Sequence, residues 1–93
     1  MKIEGKVVSI NASGNLVTDI AVERLAQCPR DESLTVRCDE HQTVGLFGPD
    51  HKEPEMTLIA LLAPGGTLEL VIVGDSAKIM LGVSVGEKVT VEW

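Results

Sequence analysis

The sequence predicts an all-β fold, a small barrel-like domain of about six to seven strands carrying two short helical turns. Three observations carry that expectation. Several stretches alternate apolar and polar side chains with the period of two that a half-buried strand requires. Two runs are apolar at nearly every position and flank a Pro-Gly-Gly turn. Helical spacing is confined to two short pieces.

Taken in order, Ile3, Gly5 and Val7 alternate with Lys2, Glu4 and Lys6, which gives an opening strand with one wet face. The segment Thr18-Asp19-Ile20-Ala21-Val22-Glu23-Arg24-Leu25-Ala26-Gln27 reads as a short helix. A Thr or Asp cap precedes Val22, Leu25 and Ala26 at helical spacing, and Pro29 limits continuation. Leu34, Val36 and Cys38 against Thr35, Arg37 and Asp39 form the next strand. Gly48-Pro49-Asp50-His51-Lys52-Glu53-Pro54-Glu55 is polar and aperiodic, so it is expected as a mobile loop.

The runs Thr57-Leu58-Ile59-Ala60-Leu61-Leu62 and Leu68-Glu69-Leu70-Val71-Ile72-Val73 read as strands covered on both faces, in a barrel wall or at an oligomer contact. Ala63-Pro64-Gly65-Gly66 joins them as a tight hairpin turn, because Pro presets φ and glycine tolerates positive φ. The stretch from Asp75 to Gly82 opens on a cap, places Ala77, Met80 and Leu81 on one face and stops at glycine. Val89, Val91 and Trp93 against Lys88, Thr90 and Glu92 close the chain with a strand.

Ninety-three residues are expected to form one domain over 1–93. Net charge is −6 without a cluster of Lys or Arg, and Phe47 and Trp93 are the only aromatics. A phosphate backbone is repelled and finds little to stack on, so no nucleic-acid partner is expected. No run approaches the roughly 20 apolar residues that span a bilayer, and Met1-Lys2-Ile3-Glu4-Gly5 leads straight into a strand pattern. The expected setting is cytoplasmic, with no membrane partner. Cys28 and Cys38 agree with it, since nine intervening residues match no redox or zinc spacing.

Catalytic and metal motifs are missing. Cys38-x-x-His41 is the sole soft-ligand pair with usable spacing, whereas zinc takes four ligands, so no metal site is expected. Alternation places Cys38 in the core as a small hydrophobe. Neither a nucleophile elbow nor a glycine-rich phosphate cradle occurs. Scattered carboxylates such as Glu4, Asp39 and Glu92 fall on wet strand faces. Glu69 differs, because it interrupts an apolar run; it must be paired, lie at an interface or stand near a ligand.

The segment Gly5-Lys6-Val7-Val8-Ser9-Ile10-Asn11-Ala12-Ser13-Gly14-Asn15-Leu16-Val17-Thr18-Asp19-Ile20 resembles the first hairpin of a known domain. That domain is the C-terminal one of the S-adenosylmethionine hydroxide adenosyltransferase family, which includes the bacterial fluorinases and chlorinases. The family form is approximately G-x-V-x-x-I-D-x-F-G-N-L-x-T-N-I. Gly66-Thr67-Leu68-Glu69-Leu70 is similar to its G-x-L-E-I, Ala77 through Gly82 to its A-A-x-x-L-G, and Gly86-Glu87-Lys88-Val89 to its G-D-x-V.

The resemblance implies a small barrel that closes over a nucleoside at the junction between neighbouring subunits of a trimeric enzyme. The larger N-terminal domain there supplies most catalytic groups, and nothing in this sequence corresponds to it. Asn15 stands where the family's asparagine meets adenine, and Ser13, beside Gly14, replaces its Phe. Ala63 and Pro64 replace an Asn-Ser pair that helps to hold the amino-acid end of the substrate. The local chemistry of Ser13-Gly14-Asn15 is equally that of a hairpin turn. No catalytic residue is assigned, and S-adenosylmethionine or adenosine enters as a ligand only through the resemblance.

The chain is therefore expected to be a stand-alone binding or assembly module, not a catalyst by itself, forming a homo-oligomer that the resemblance makes a trimer. Two alternatives are a subunit completing a separately encoded S-adenosylmethionine-hydrolysing enzyme, and a protein-interaction domain that uses the 48–55 loop.

Overall fold

The computed structural model describes residues 1–93. Its elements are β1 (Lys2–Ile10), β2 (Leu16–Ala21), a 3-10 turn (Val22–Leu25), β3 (Thr35–Cys38), β4 (His41–Val44), β5 (Leu58–Leu62), β6 (Thr67–Ile72), helix α1 (Ala77–Leu81) and β7 (Lys88–Glu92). The strands join in the order β4-β3-β7-β1-β2-β6-β5, with every neighbouring pair antiparallel. Curling brings the two ends together. Thr43 Oγ1 donates to the Leu58 carbonyl across 2.8 Å, linking β4 to β5. Phe47 extends that seam, since its N–H donates to Ala60 O at 3.0 Å and its carbonyl accepts from Leu62 N at 2.8 Å. The result is a nearly closed, mainly β barrel, as the alternation predicts.

Inward positions follow the pleat. Val7, Leu16, Ile20, Val36, Leu68, Leu70, Val89 and Val91 are fully or almost fully buried and share one core with Cys38 and Leu25. Each such aliphatic side chain contributes roughly 1.5–3 kcal/mol by leaving water. Thr18 is the one polar side chain buried among them. Its hydroxyl donates to Leu68 O at 2.6 Å and accepts from Ile20 N at 3.2 Å, which removes the penalty of an unpaired buried group.

Two expectations change, and one strand has no counterpart among them. The helix read over 18–27 is strand as far as Ala21 and only a 3-10 turn from Val22 to Leu25. Leu16, Thr18 and Ile20 point inward in a period of two that the buried hydroxyl disguised. Strand β4 has no apolar alternation and forms because the β3 backbone pairs it, Thr35 with Val44 through Cys38 with His41. Double coverage holds at Ile59 and Ala60, adjacent residues both buried, but β6 alternates, leaving Thr67, Glu69 and Val71 half-buried on the outer face.

Candidate functional site

Residues 11–15 connect β1 to β2, and a single side chain organises them. Asn11 Oδ1 accepts from the backbone N–H of Ser13 and of Asn15, each at 3.0 Å, while Asn11 O accepts from Gly14 N at 2.9 Å. Asparagine suits this work because its short carbonyl reaches backbone donors a few residues ahead. Gly14 has φ of 84°, and a Cβ there would collide with Ser76 Oγ and stand 2.7 Å from Ser76 Cβ. Glycine is needed both for the left-handed backbone and for the close approach.

That approach docks the turn on the start of α1. Lys78 N donates to Gly14 O at 2.9 Å. Ser76 caps the helix, its Oγ accepting from Ile79 N at 3.3 Å, and Gly82 ends it at φ 68°. Asp75 Oδ1 in turn accepts from Ser76 N at 2.7 Å. Between the turn and this segment lies a cleft of about 540 Å³, walled by Ser13, Asn15, Val71, Ile72 and residues 74–76. Its volume is within the range of small-molecule sites.

Val71 and Ile72 give the lining an apolar part, the rest is polar with Asp75 as its one acidic side chain, and no Lys, Arg, His or Cys contributes. Behind the wall, Glu69 Oε1 accepts from Asn15 Nδ2 at 3.2 Å and from Asn11 Nδ2 at 3.4 Å. Of the three readings open for Glu69, the structure shows pairing. The residue lies beside Val17 of β2 and Leu61 of β5, so the carboxylate is flanked across the sheet by two apolar side chains.

Of the sequence-level positions, Ser13, Gly14 and Asn15 gather at the cleft. Ala63 and Pro64 do not, because they form the β5–β6 turn at the opposite end of β6. There Gly66 N donates to Ala63 O at 3.0 Å and Gly66 O accepts from Val22 N at 2.9 Å. Five residue steps from Thr67 to Ile72 correspond to roughly 17 Å of strand, and the outer face of Thr67, Glu69 and Val71 runs between the two ends. Gly74, Asp75 and Ser76 were missed as site residues, although a glycine followed by a helix cap marks the kind of exposed turn that borders a cleft.

The other chemically notable side chains are used elsewhere. Cys38 is buried in the core, and burial, followed by the nearby charges of Glu87 and Asp39, pushes its thiol up to about 11. Cys28 is raised by burial as well. His41 Nε2 lies 3.0 Å from Leu81 O at the end of α1. Nowhere do three His, Cys, Asp or Glu side chains converge in a metal-holding arrangement, and no helix is long and apolar enough to cross a membrane.

Comparison with solved structures agrees with the architecture. An uncharacterized conserved protein from Thermotoga maritima superposes with a TM-score of 0.76 at 20% identity, over 97% of this chain and 35% of its own. A conserved hypothetical protein from Thermus thermophilus gives 0.70 at 21% identity, over 96% of this chain and 34% of its own. The chain thus spans about a third of the length of these structures. Among proteins of curated function, none matches. The family model of the SAM hydroxide adenosyltransferase C-terminal domain matches residues 5–90, nearly the whole barrel and both walls of the cleft. The chain belongs to the SAM hydroxide adenosyltransferase C-terminal domain family.

Proposed function

We propose that the chain is a non-catalytic binding and assembly module of the cytoplasm, whose cleft covers a nucleoside. One observation carries this reading: Asn15, the position that matches the family's adenine-contacting asparagine, meets residues 71–76 in a cleft of about 540 Å³. The cleft holds hydrogen-bonding groups and one carboxylate, and neither of its serine hydroxyls is hydrogen-bonded to that carboxylate. Such a lining binds and orients a ligand without transforming it.

The two ends of β6 divide the ligand. At the cleft, Asn15 and the 74–76 backbone offer polar partners to a base. Pro64, at the far end, has neither a side-chain hydroxyl nor an N–H with which to hold an amino-acid moiety. Adenosine and S-adenosylmethionine are therefore expected to bind with similar affinity. Titration calorimetry with both tests this, and Asn15→Ala should weaken each about tenfold, the loss of one hydrogen bond of ~1.4 kcal/mol. Silence with both ligands removes the binding part and leaves assembly alone.

Half-buried Val17, Leu61 and Val71 on the outer face, together with exposed Ile79 and Met80 on α1, support assembly as a homo-oligomer, a trimer by family resemblance. Native mass spectrometry reads the stoichiometry, and a clean monomer rejects it. A second reading is favoured by the length of the Thermotoga and Thermus structures, of which this chain spans 35% and 34%. In it, a separate catalytic subunit that hydrolyses S-adenosylmethionine to adenosine and methionine is completed by this domain. Recovery of the chain from its source cell without such a subunit rejects that reading.

A further inference from the structure

We infer that Glu69 is a positioning residue, which fixes the amide of Asn15 so that the cleft presents an acceptor and selects a ligand that brings a donor to that point. This rests on the nucleoside reading above and specifies which edge of the base that site accepts.

A carboxylamide is asymmetric, with a donor at one end and an acceptor at the other. Asn15 can offer its Nδ2 hydrogens or its Oδ1 to the cleft, and in water the two orientations interchange freely. An ionised carboxylate only accepts, so the end of Asn15 that lies 3.2 Å from Glu69 Oε1 must be the amino end. The side-chain carbonyl oxygen takes no hydrogen bond within the protein, and Asn15 stands on the cleft wall, so this oxygen is the acceptor available to a ligand there. Asn11 reinforces the choice. Its own Nδ2 donates to the same oxygen at 3.4 Å while its Oδ1 is committed to the N–H groups of Ser13 and Asn15, so Asn11 cannot turn over and offer Glu69 an acceptor.

Glu69 is well placed for this task and not for contact with a ligand. It is absent from the cleft wall, and pairs across the sheet with Val17 of β2, two residues beyond Asn15. Residues of the flanking strands are apolar there, namely Val17 and Leu61, which leaves the two asparagine amides as its polar partners in the protein. An acidic residue in that setting orients its neighbours. Asp75 adds a second acceptor to the cleft, one of its oxygens being held by Ser76 N. Donor-bearing ligands match both.

For a purine nucleoside, the distinction is the exocyclic group. Adenosine carries an amino donor on the ring, and inosine carries a carbonyl acceptor at the same place. Facing Asn15 Oδ1, the amino group makes a hydrogen bond and the carbonyl leaves two acceptors opposed. About tenfold preference for adenosine is expected in a half-open cleft, corresponding to ~1.4 kcal/mol.

The experiment is calorimetric titration of the full chain with adenosine and with inosine, for the unaltered protein, Glu69→Gln and Glu69→Ala. Glutamine keeps the size of Glu69 but can accept or donate, so it no longer dictates the amide orientation; alanine removes the partner altogether. The unaltered chain should prefer adenosine about tenfold, and both variants should bring the ratio close to one while still binding a nucleoside. Glu69→Gln is the arm that stands if the alanine variant fails to fold, as judged by circular dichroism. Retention of the full preference in Glu69→Gln, or a preference of the unaltered chain for inosine, overturns the positioning role alone. Binding of neither nucleoside by the unaltered chain overturns the nucleoside reading and this inference with it.

Discussion

Replacing Gly14 by alanine tests how tightly the turn and helix that wall the cleft are locked together. Two costs combine. At φ 84° an alanine is held in a left-handed conformation, worth roughly 1–2 kcal/mol. The new methyl would also collide with Ser76 Oγ, stand 2.7 Å from Ser76 Cβ and 3.0 Å from its Cα. A Cα is not the free end of a flexible side chain, so the helix start must shift. That shift threatens the Ser76 cap on Ile79 N and the bond from Lys78 N to Gly14 O, about 1 kcal/mol each.

Together these give about 3–4 kcal/mol, a large share of the roughly 5–15 kcal/mol that holds a domain folded. Gly66 supplies the control, since its φ is 97° yet nothing lies within 4 Å of a Cβ built there, so Gly66→Ala carries only the backbone cost. Gly65, outside the left-handed region and equally open, should be nearly neutral as alanine. Thermal and urea unfolding followed by circular dichroism rank the three. Gly14→Ala should lower Tm by about 12–32 °C, at roughly 4–8 °C per kcal/mol for a domain of this size. If Gly14→Ala and Gly66→Ala fall within about 1 kcal/mol of each other, the turn is not locked against Ser76 and the account of the cleft wall is wrong.

Thr18→Val removes a buried hydroxyl that serves Leu68 O and Ile20 N, and should destabilise by about 1–3 kcal/mol in urea titration; a neutral result means that water reaches those groups. Asn11→Ala should cost about 1 kcal/mol of stability, because water replaces part of what its exposed side chain gives to Ser13 N and Asn15 N. Cys38 makes stability depend on alkaline pH. Its folded thiol is raised to about 11, so the unfolded chain ionises first, and stability present below pH 9.0 is lost as pH climbs from 9.0 toward 11. The loss is on the order of 2 kcal/mol, read as a falling urea midpoint, and Cys38→Ala should remove that slope. At pH 8 the same burial should hold both thiols almost unreactive toward a disulfide reagent until denaturant is added.

Period-two alternation was enough to place β1, β3 and β7, because a strand with one wet face writes its geometry directly into the residue order. The β5–β6 hairpin was legible for a different reason, since Pro64 and the paired glycines fix a turn between two apolar runs. Glu69 stood out in the sequence as a carboxylate in the wrong company. Its partners did not, because Asn11 and Asn15 lie 58 and 54 residues away from it. Local pattern failed where a long-range bond supplied the stability. Thr18 reads as a helix cap until Leu68 O is known to receive its hydroxyl, and β4 has no pattern until β3 pairs with it. The candidate site divides in the same way. Asn15 could be named from residue order, since turn chemistry and the family resemblance are both local. The cleft could not, for its second wall at 71–76 meets the turn only when β2 and β6 pair and Gly14 settles on Ser76. Alternation and turn residues are properties of neighbouring positions and survive in the sequence alone. Which wall faces Asn15, and which way its amide points, depend on contacts between distant segments, and only the closed barrel decides them.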